Sequence, residues 1–423
     1  MVPREVLDLD EIDLAAPGFW LRPEDEREGA FRTLRRERPV AFFAEQQVLP
    51  ELPAGRGFYA VTRHAQILEV SRNAELFCSG QGTQITDMPE AFNEFFGSMI
   101  NMDDPRHGRL RRIISRGFTP RALTRLEADV QRRARATVDR VIEKGECDFV
   151  TEIAAPLPLA IICDMMGIPE SQTQYVFEQT NRILGLGDPD YVPPGASPIQ
   201  AALEAGAGLV ALMKELAEVR RRTPTDDLVS ALLHSEIEGE SLQDQELASF
   251  FVLLVVAGNE TTRNAISHGM KALCDFPEER RRWQADFEGL APTAVEEIVR
   301  WASPVMHFRR TVTRKTELAG VRLEPGDKVV LWYGSGNRDE SVFDQPYRLD
   351  LGRQPNEHVG FGGPGPHFCL GANLARREIR VMFREILTRM PDLEITGPPE
   401  PLLSAFIHGI KRMPCRWGSP GQT

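Results

Sequence analysis

Cysteine is scarce in this chain and falls into no pattern. Its six cysteines stand at 78, 147, 163, 274, 369 and 415, with no C-x-x-C pair and no paired spacing. Such scatter fits neither a disulfide framework nor a zinc site. Long apolar runs are missing as well: the longest, Phe250 to Ala257, is too short to span a bilayer. Positive charge is not in excess, because 50 Lys and Arg stand against 62 Asp and Glu, for a net charge of -12. That balance argues against general binding of nucleic acid or an anionic membrane, both of which would repel the chain at long range. The opening "MVPREVLDLDEIDLAAPGFW" has neither the basic region nor the apolar core of a secretory leader. Internal repeats and low-complexity tracts are also absent. The expectation left standing is a soluble, globular, cytoplasmic protein.

What the chain does have is helical periodicity. Apolar positions at helical spacing predict a surface helix over 24–37 and then helices over 106–117, 120–144, 151–167, 170–185, 199–221, 243–274, 277–287, 290–301 and 371–390. Strand signals cluster between 307 and 333, where alternation is cut by Gly and Pro-Gly turns; "GFYAVTRHAQILEVSR" reads as a short strand running into a helix. The stretch 187–198, "GDPDYVPPGASP", is a long loop between helices and a candidate lid. The expected architecture is mainly α with small β-sheets, in a single domain over 1–423 that begins with a short segment, 1–20.

The stretch "FGGPGPHFCLG", residues 361–371, sets Cys369 among glycines and prolines just before the helix expected at 371–390. Glycines let a backbone pass close to something flat and bulky, since no Cβ intervenes. A sulfur anion at a helix N-terminus is stabilised by the dipole and by N–H groups not yet bonded. A thiolate on haem iron accounts for both features, with a Gly-rich structural turn as the plainer reading.

This loop resembles the haem-binding loop of the cytochrome P-450 monooxygenases, with Phe361, Gly365, His367, Cys369 and Gly371 at matching positions. Phe361 stands one residue further from the cysteine than in the common form, a departure found in bacterial subgroups acting on lipid and steroid side chains. The resemblance implies that family's fold, with haem b between a long central helix and the cysteine-loop helix, and Cys369 as axial thiolate. Within "FFVLLVVAGNETTRNAI", polar residues and a glycine interrupt a fully apolar helix at some cost. They resemble the family's oxygen-activation motif: Gly258 would make room for dioxygen, Thr261 would donate to the oxygen being activated and Glu260 would help deliver protons. "EEIVRW" supplies Glu297 and Arg300, which resemble the family's buried structural pair, completed by Arg338 of "NRDESVF". In "DDPRHGRLRR", His107 and Arg111 share one helical face and match the family's propionate-binding residues, as do Arg310 and His367. Arg109, Arg112 and Arg116, with Arg376, Arg377 and Arg380, form either a docking patch for an acidic ferredoxin or a solvated charged face.

The resemblance covers essentially the whole chain and narrows to an actinobacterial subgroup that hydroxylates methyl-branched lipids. It implies a lipid-like substrate, O2, a ferredoxin and an NAD(P)H-dependent ferredoxin reductase, and a monomer. Terminal C–H bonds are the strongest of an alkyl chain, so selectivity for the ω carbon must come from a channel that presents the chain tip. Ile100, Val255, Gly258, Val305, Met306 and Phe406 are the candidate wall. Hydroxylation of a terpenoid or polyketide and a non-catalytic haem sensor are the competing functions; intact Glu260 and Thr261 speak against the sensor.

Overall fold

The computed structural model describes residues 7–47, 52–89, 92–93, 98–237 and 240–418. They form two compact units: one of residues 1–108, 299–349 and 354–369, the other of residues 109–298, 350–353 and 370–423.

The first unit is built on a five-stranded sheet, in the spatial order Val40–Phe43, Phe58–Val61, Lys328–Trp332, His307–Val312 and Phe77–Cys78. Lys328–Trp332 is buried along its whole length, and its apolar run over 329–332 suits a strand covered on both sides. One face packs Val61, Ile67, Val70, Phe77, Val329 and Leu331 into a core. The other packs Leu14, Phe31, Leu34, Phe58 and Trp332 around the helix Glu24–Glu37. Between the expected strands, Thr316–Leu318 and Val321–Leu323 form a hairpin whose two turn residues, Ala319 and Gly320, both have positive φ. A charged knot fastens this sheet's margin: Lys328 Nζ reaches Glu45 at 2.6 Å and Asp87 at 2.7 Å, and Asp87 also holds Arg309 at 2.5 Å.

The second unit gathers helices around Asp244–Asp275, 32 residues long. Gln243 and Glu246 close a capping box at its N-terminus, satisfying donors the first turn leaves open. Helices Pro156–Met166, Thr173–Leu184, Pro198–Arg222 and Ala372–Arg389 pack on it. The helix expected over 151–167 begins instead as a wide turn, Val150–Ala154, where Ala155 N bonds Val150 O at 2.9 Å. Pro156 and Pro158 supply no N–H, so regular i→i−4 bonding starts late. The short helix Leu228–Leu233 has no counterpart in the periodicity; Asp227 caps it by accepting from Ser230 N at 2.7 Å. The segment 187–198 is anchored, with Asp188 buried and Lys411 Nζ bonding Asp188 at 3.1 Å and Asp190 at 2.8 Å. No described helix is long and apolar enough to cross a membrane.

Candidate active site

Of the six cysteines, Cys369 is the one classed as exposed; Cys78, Cys163 and Cys415 are buried, and Cys147 and Cys274 half-buried. The loop that carries it closes on itself: Cys369 N donates to Phe361 O at 3.0 Å, and Phe368 N to Gly365 O at 3.2 Å. Its glycines answer to a neighbouring helix. A Cβ on Gly365 would stand 2.2 Å from the backbone oxygen of Ser71, and one on Gly363 would stand 2.6 Å from the Ser71 hydroxyl. The bare backbone expected to pass a flat ligand is therefore demanded, at these two positions, by the end of the helix His64–Arg72. Gly371 is the N-cap of Ala372–Arg389 with ordinary negative φ, and nothing lies within 4 Å of where its Cβ would be.

Three of the expected propionate residues lie in the first unit. His107 is buried and its ring lies 4.2 Å from that of His367, whose Nε2 is 3.1 Å from Ser79 Oγ. His107 Nδ1 also lies 3.6 Å from Asp104. Arg310 is buried in the strand His307–Val312, donating to Arg309 O at 2.8 Å. Arg111 is half-buried one turn after His107 on the helix Arg106–Ser115.

On the central helix, burial is broken along one stripe. Leu253, Ala257 and Thr261, four residues apart, keep accessible surface while Val255, Asn259 and Glu260 are buried. Thr261 Oγ1 donates to Ala257 O at 2.9 Å. Glu260 pairs with Arg263 and accepts from Asn264 Nδ2 at 3.1 Å; Arg263 in turn donates to Asn181 at 3.0 Å, and Asn264 Oδ1 accepts from Ile410 N at 3.1 Å. Beside Thr261, Thr262 is bonded to the fully buried Glu378 of the cysteine-loop helix, and burial pushes that carboxyl up to about 8. Arg263, Asn264, Asn181 and Glu378 escaped the sequence reading, although Arg263 and Asn264 lie one turn beyond Glu260 in the same quoted stretch.

Two expectations on this helix need correction. Gly258 faces Ile162, 3.1 Å from where its Cβ would be, so its smallness serves the approach of the helix Pro156–Met166. Val255 is fully buried and presents no surface to a ligand. Among the other wall candidates, Ile100 is half-buried in the turn Ser98–Asn101, Val305 and Met306 pack partly buried against the two sheet cores, and Phe406 is half-buried with its N–H on Ser404 Oγ at 3.1 Å.

The structural pair also differs in its third member. Glu297 accepts from Arg353 Nε at 3.0 Å and from Asp350 N at 3.0 Å, all within the second unit. Arg300 donates to the carbonyls of Asn337 and Pro346 at 2.8 and 3.0 Å. Arg338, expected to complete the pair, instead caps the C-terminus of the helix Phe287–Ala302 through the carbonyls of Arg300 and Trp301. Arg353 lies in "DLGR", within the irregular stretch after the strand Lys328–Trp332, where no periodicity marks it.

The arginines of the charged face are largely compensated. Arg376 holds Glu296 through two bonds of 2.6 and 3.0 Å, Arg377 pairs with Glu127, Arg380 and Arg384 share Glu288, and Arg109 holds Glu246 at 2.9 Å. The Arg116 side chain lies outside the described set.

Haem suits these residues. An exposed thiol at the end of a closed loop is a soft ligand for iron, a stripe ending in an alanine and a threonine leaves open surface on an otherwise buried helix, and His and Arg donors suit propionates. Among the described residues no cluster of three or more His, Cys, Asp or Glu is placed to hold a metal ion. A lone thiolate is what a metal already held by a macrocycle needs.

Each of these features suits a haem-thiolate oxygenase. The cytochrome P-450 family model matches residues 91–391, and the chain belongs to that family of monooxygenases. It is 52% identical over 418 residues to the methyl-branched lipid omega-hydroxylase of Mycobacterium tuberculosis, covering 98% of this chain and 96% of that one. To the steroid C26-monooxygenase of Mycolicibacterium smegmatis it is 42% identical over 361 residues, with 84% and 82% covered. Among solved structures, a Mycobacterium marinum cytochrome P-450 in complex with pseudoionone matches with a TM-score of 0.93 and 44% identity, over 97% of this chain and 100% of that one.

Proposed function

We propose that the protein binds haem b and inserts one atom of O2 into the terminal C–H bond of a methyl-branched lipid, with the end of a sterol side chain as the nearest alternative substrate. The observation that carries this reading is the near-full-length similarity, at 52% identity, to a protein named for that reaction. An isoprenoid substrate has support of its own in the solved relative that holds pseudoionone. Electrons come from a ferredoxin and its NAD(P)H-dependent reductase, and a monomeric, cytoplasmic, single-domain enzyme suffices.

Bound haem supplies reductive activation of oxygen and its transfer to carbon. The chain's own residues prepare for that. Cys369 would hold the iron as thiolate, from a loop closed by its own backbone bonds. His107, Arg111, Arg310 and His367 offer donors to the propionates. Thr261, whose hydroxyl rests on the carbonyl of Ala257, would donate to oxygen at such a site, and Glu260 would relay a proton behind it. Arg263 and Asn264 hold the Glu260 side chain in place, through the ion pair and the Asn264 Nδ2 bond. Because the terminal C–H bond is the strongest in the chain, the substrate must be held tip-first, and Ile100, Val305, Met306 and Phe406 are the residues proposed to do so.

The test is optical and chemical. The ferrous protein with carbon monoxide should show a thiolate-type band, a methyl-branched fatty acid should shift the ferric spin state, and reconstituted turnover should yield the ω-alcohol. A thiolate band with neither shift nor ω-alcohol removes the lipid assignment, and a folded, haem-loaded protein without the band removes the ligation by Cys369. Thr261→Ala should divert reducing equivalents into hydrogen peroxide; unchanged coupling would remove Thr261 from its role.

A further inference from the structure

Cys147 and Cys415 are 268 positions apart in the chain, and the fold of the second unit sets them opposite one another. Strand Pro414–Arg416 runs antiparallel to Glu146–Asp148 with Cys415 directly across from Cys147. Flanking bonds, Phe149 N to Met413 O at 2.9 Å and Trp417 N to Gly145 O at 2.8 Å, place the cysteines at a hydrogen-bonded position of the ladder. Cα atoms there lie about 5.5 Å apart, inside the range that disulfides span. The sulfurs are 3.8 Å apart, and Cys415 Sγ also lies 3.4 Å from Cys147 O. Bonding them requires the sulfurs to approach by rotation about χ1 while both strands stay in register.

The frame around them does not depend on the thiols. Asp148 accepts from Met413 N at 2.7 Å and from Thr151 N at 2.8 Å, and Trp417 Nε1 donates to Ile142 O at 3.0 Å. Neither cysteine takes part in the haem chemistry derived above.

We propose that Cys147 and Cys415 are a peroxide-responsive thiol pair, closed by hydrogen peroxide into an interstrand disulfide and reopened by a dithiol reductant. Half-buried Cys147 is the accessible member. Its thiolate attacks one peroxide oxygen, breaking the O–O bond, so that thiol and peroxide give a sulfenic acid and water. Cys415 sulfur then attacks the sulfenic sulfur, the S–S bond forms and the second oxygen leaves as water. In sum, two thiols and one hydrogen peroxide give one disulfide and two waters, sulfur being oxidised and peroxide reduced. The hydrogen bond to Cys147 and burial push the Cys415 thiol up, so it stays protonated at rest and serves as the resolving partner. Closure would lock the C-terminal strand of the sheet Glu394–Ile395, Pro414–Arg416 and Glu146–Asp148 to the segment that opens into Val150–Met166.

The experiment treats the full-length, haem-loaded protein with hydrogen peroxide, blocks remaining thiols with N-ethylmaleimide, and maps unreduced peptides by mass spectrometry. The expected product joins the peptides of Cys147 and Cys415, is lighter by two hydrogens than their sum, and disappears after dithiothreitol. Cys415→Ser should halt at a sulfenic acid on Cys147 that dimedone traps, whereas Cys147→Ser should leave Cys415 reduced. The proposal falls if both cysteines of the unmutated protein are recovered as maleimide adducts, if Cys147 over-oxidises beside a reduced Cys415, or if either joins another cysteine.

Discussion

The loop ending at Cys369 is held by its backbone, and the centre of the helix Asp244–Asp275 is held by its side chains. In the loop, amide-to-carbonyl bonds close the turn and missing Cβ atoms let it lie against Ser71. In the helix, a buried carboxyl group, guanidinium and two amides pair with one another where an ordinary helix would bury only carbon. The difference teaches what each region tolerates. A loop held by its backbone is sensitive to an added methyl group; a helix centre that buries paired charges is sensitive to loss of either partner as well.

The largest expected effect breaks the comparison at its functional end. Cys369→Ser should leave the loop's backbone bonds intact and yet lower turnover at least about a thousandfold, with loss of the thiolate-type carbonyl band; an unchanged band would mean that another group ligates iron. Next is Glu260→Ala, which strands the buried Arg263 guanidinium and should cost about 3–5 kcal/mol in urea unfolding, whereas Glu260→Gln should recover part of it by keeping an acceptor for Asn264. Gly365→Ala, which sets a carbon against the Ser71 backbone oxygen, should cost about 2–3 kcal/mol.

A pH series sharpens the contrast further. Glu378 is fully buried with its carboxyl raised to about 8, so between the unfolded range near 4.5 and that value the unfolded chain releases a proton that the folded one keeps. Stability should therefore fall as pH rises across that window and level off above it. Glu378→Gln should flatten the slope and unfold later than the parent at pH 9, by on the order of 2–3 kcal/mol; parallel pH profiles for the two proteins would mean the carboxyl is charged when folded. The smallest effect belongs to Gly362→Ala. Its φ of +81° is left-handed but its Cβ would meet nothing nearer than 3.7 Å, so the cost should be about 1 kcal/mol, measurable as a small shift in urea midpoint beside that of Gly365→Ala.

Much of this was legible beforehand, and unevenly. The long helices end within a few residues of where periodicity put them: 243–274 became Asp244–Asp275, and 371–390 became Ala372–Arg389. Apolar spacing sustained over several turns is a strong and local signal. Leu228–Leu233 is too short to show a period, and its cap, Asp227, works through a bond that only the folded chain reveals. Glu297 was read as half of a buried pair from its neighbour Arg300, but the arginine whose ion pair it accepts within its unit, Arg353, comes from an irregular segment 56 residues on. Arg338, expected there from the stretch "NRDESVF", has its guanidinium on helix carbonyls instead.

Local sequence is enough for the long helices, the position of the thiol before a helix N-terminus, and the polar break in the central helix, because each depends on residues within a few turns of one another. Folding alone reveals that Gly365 answers to Ser71, that Arg353 pairs with Glu297, why Gly258 is small, and that Cys147 faces Cys415. Those partners lie from tens to hundreds of residues apart, and sequence spacing carries no record of a distance that chain folding alone brings down to a few ångströms.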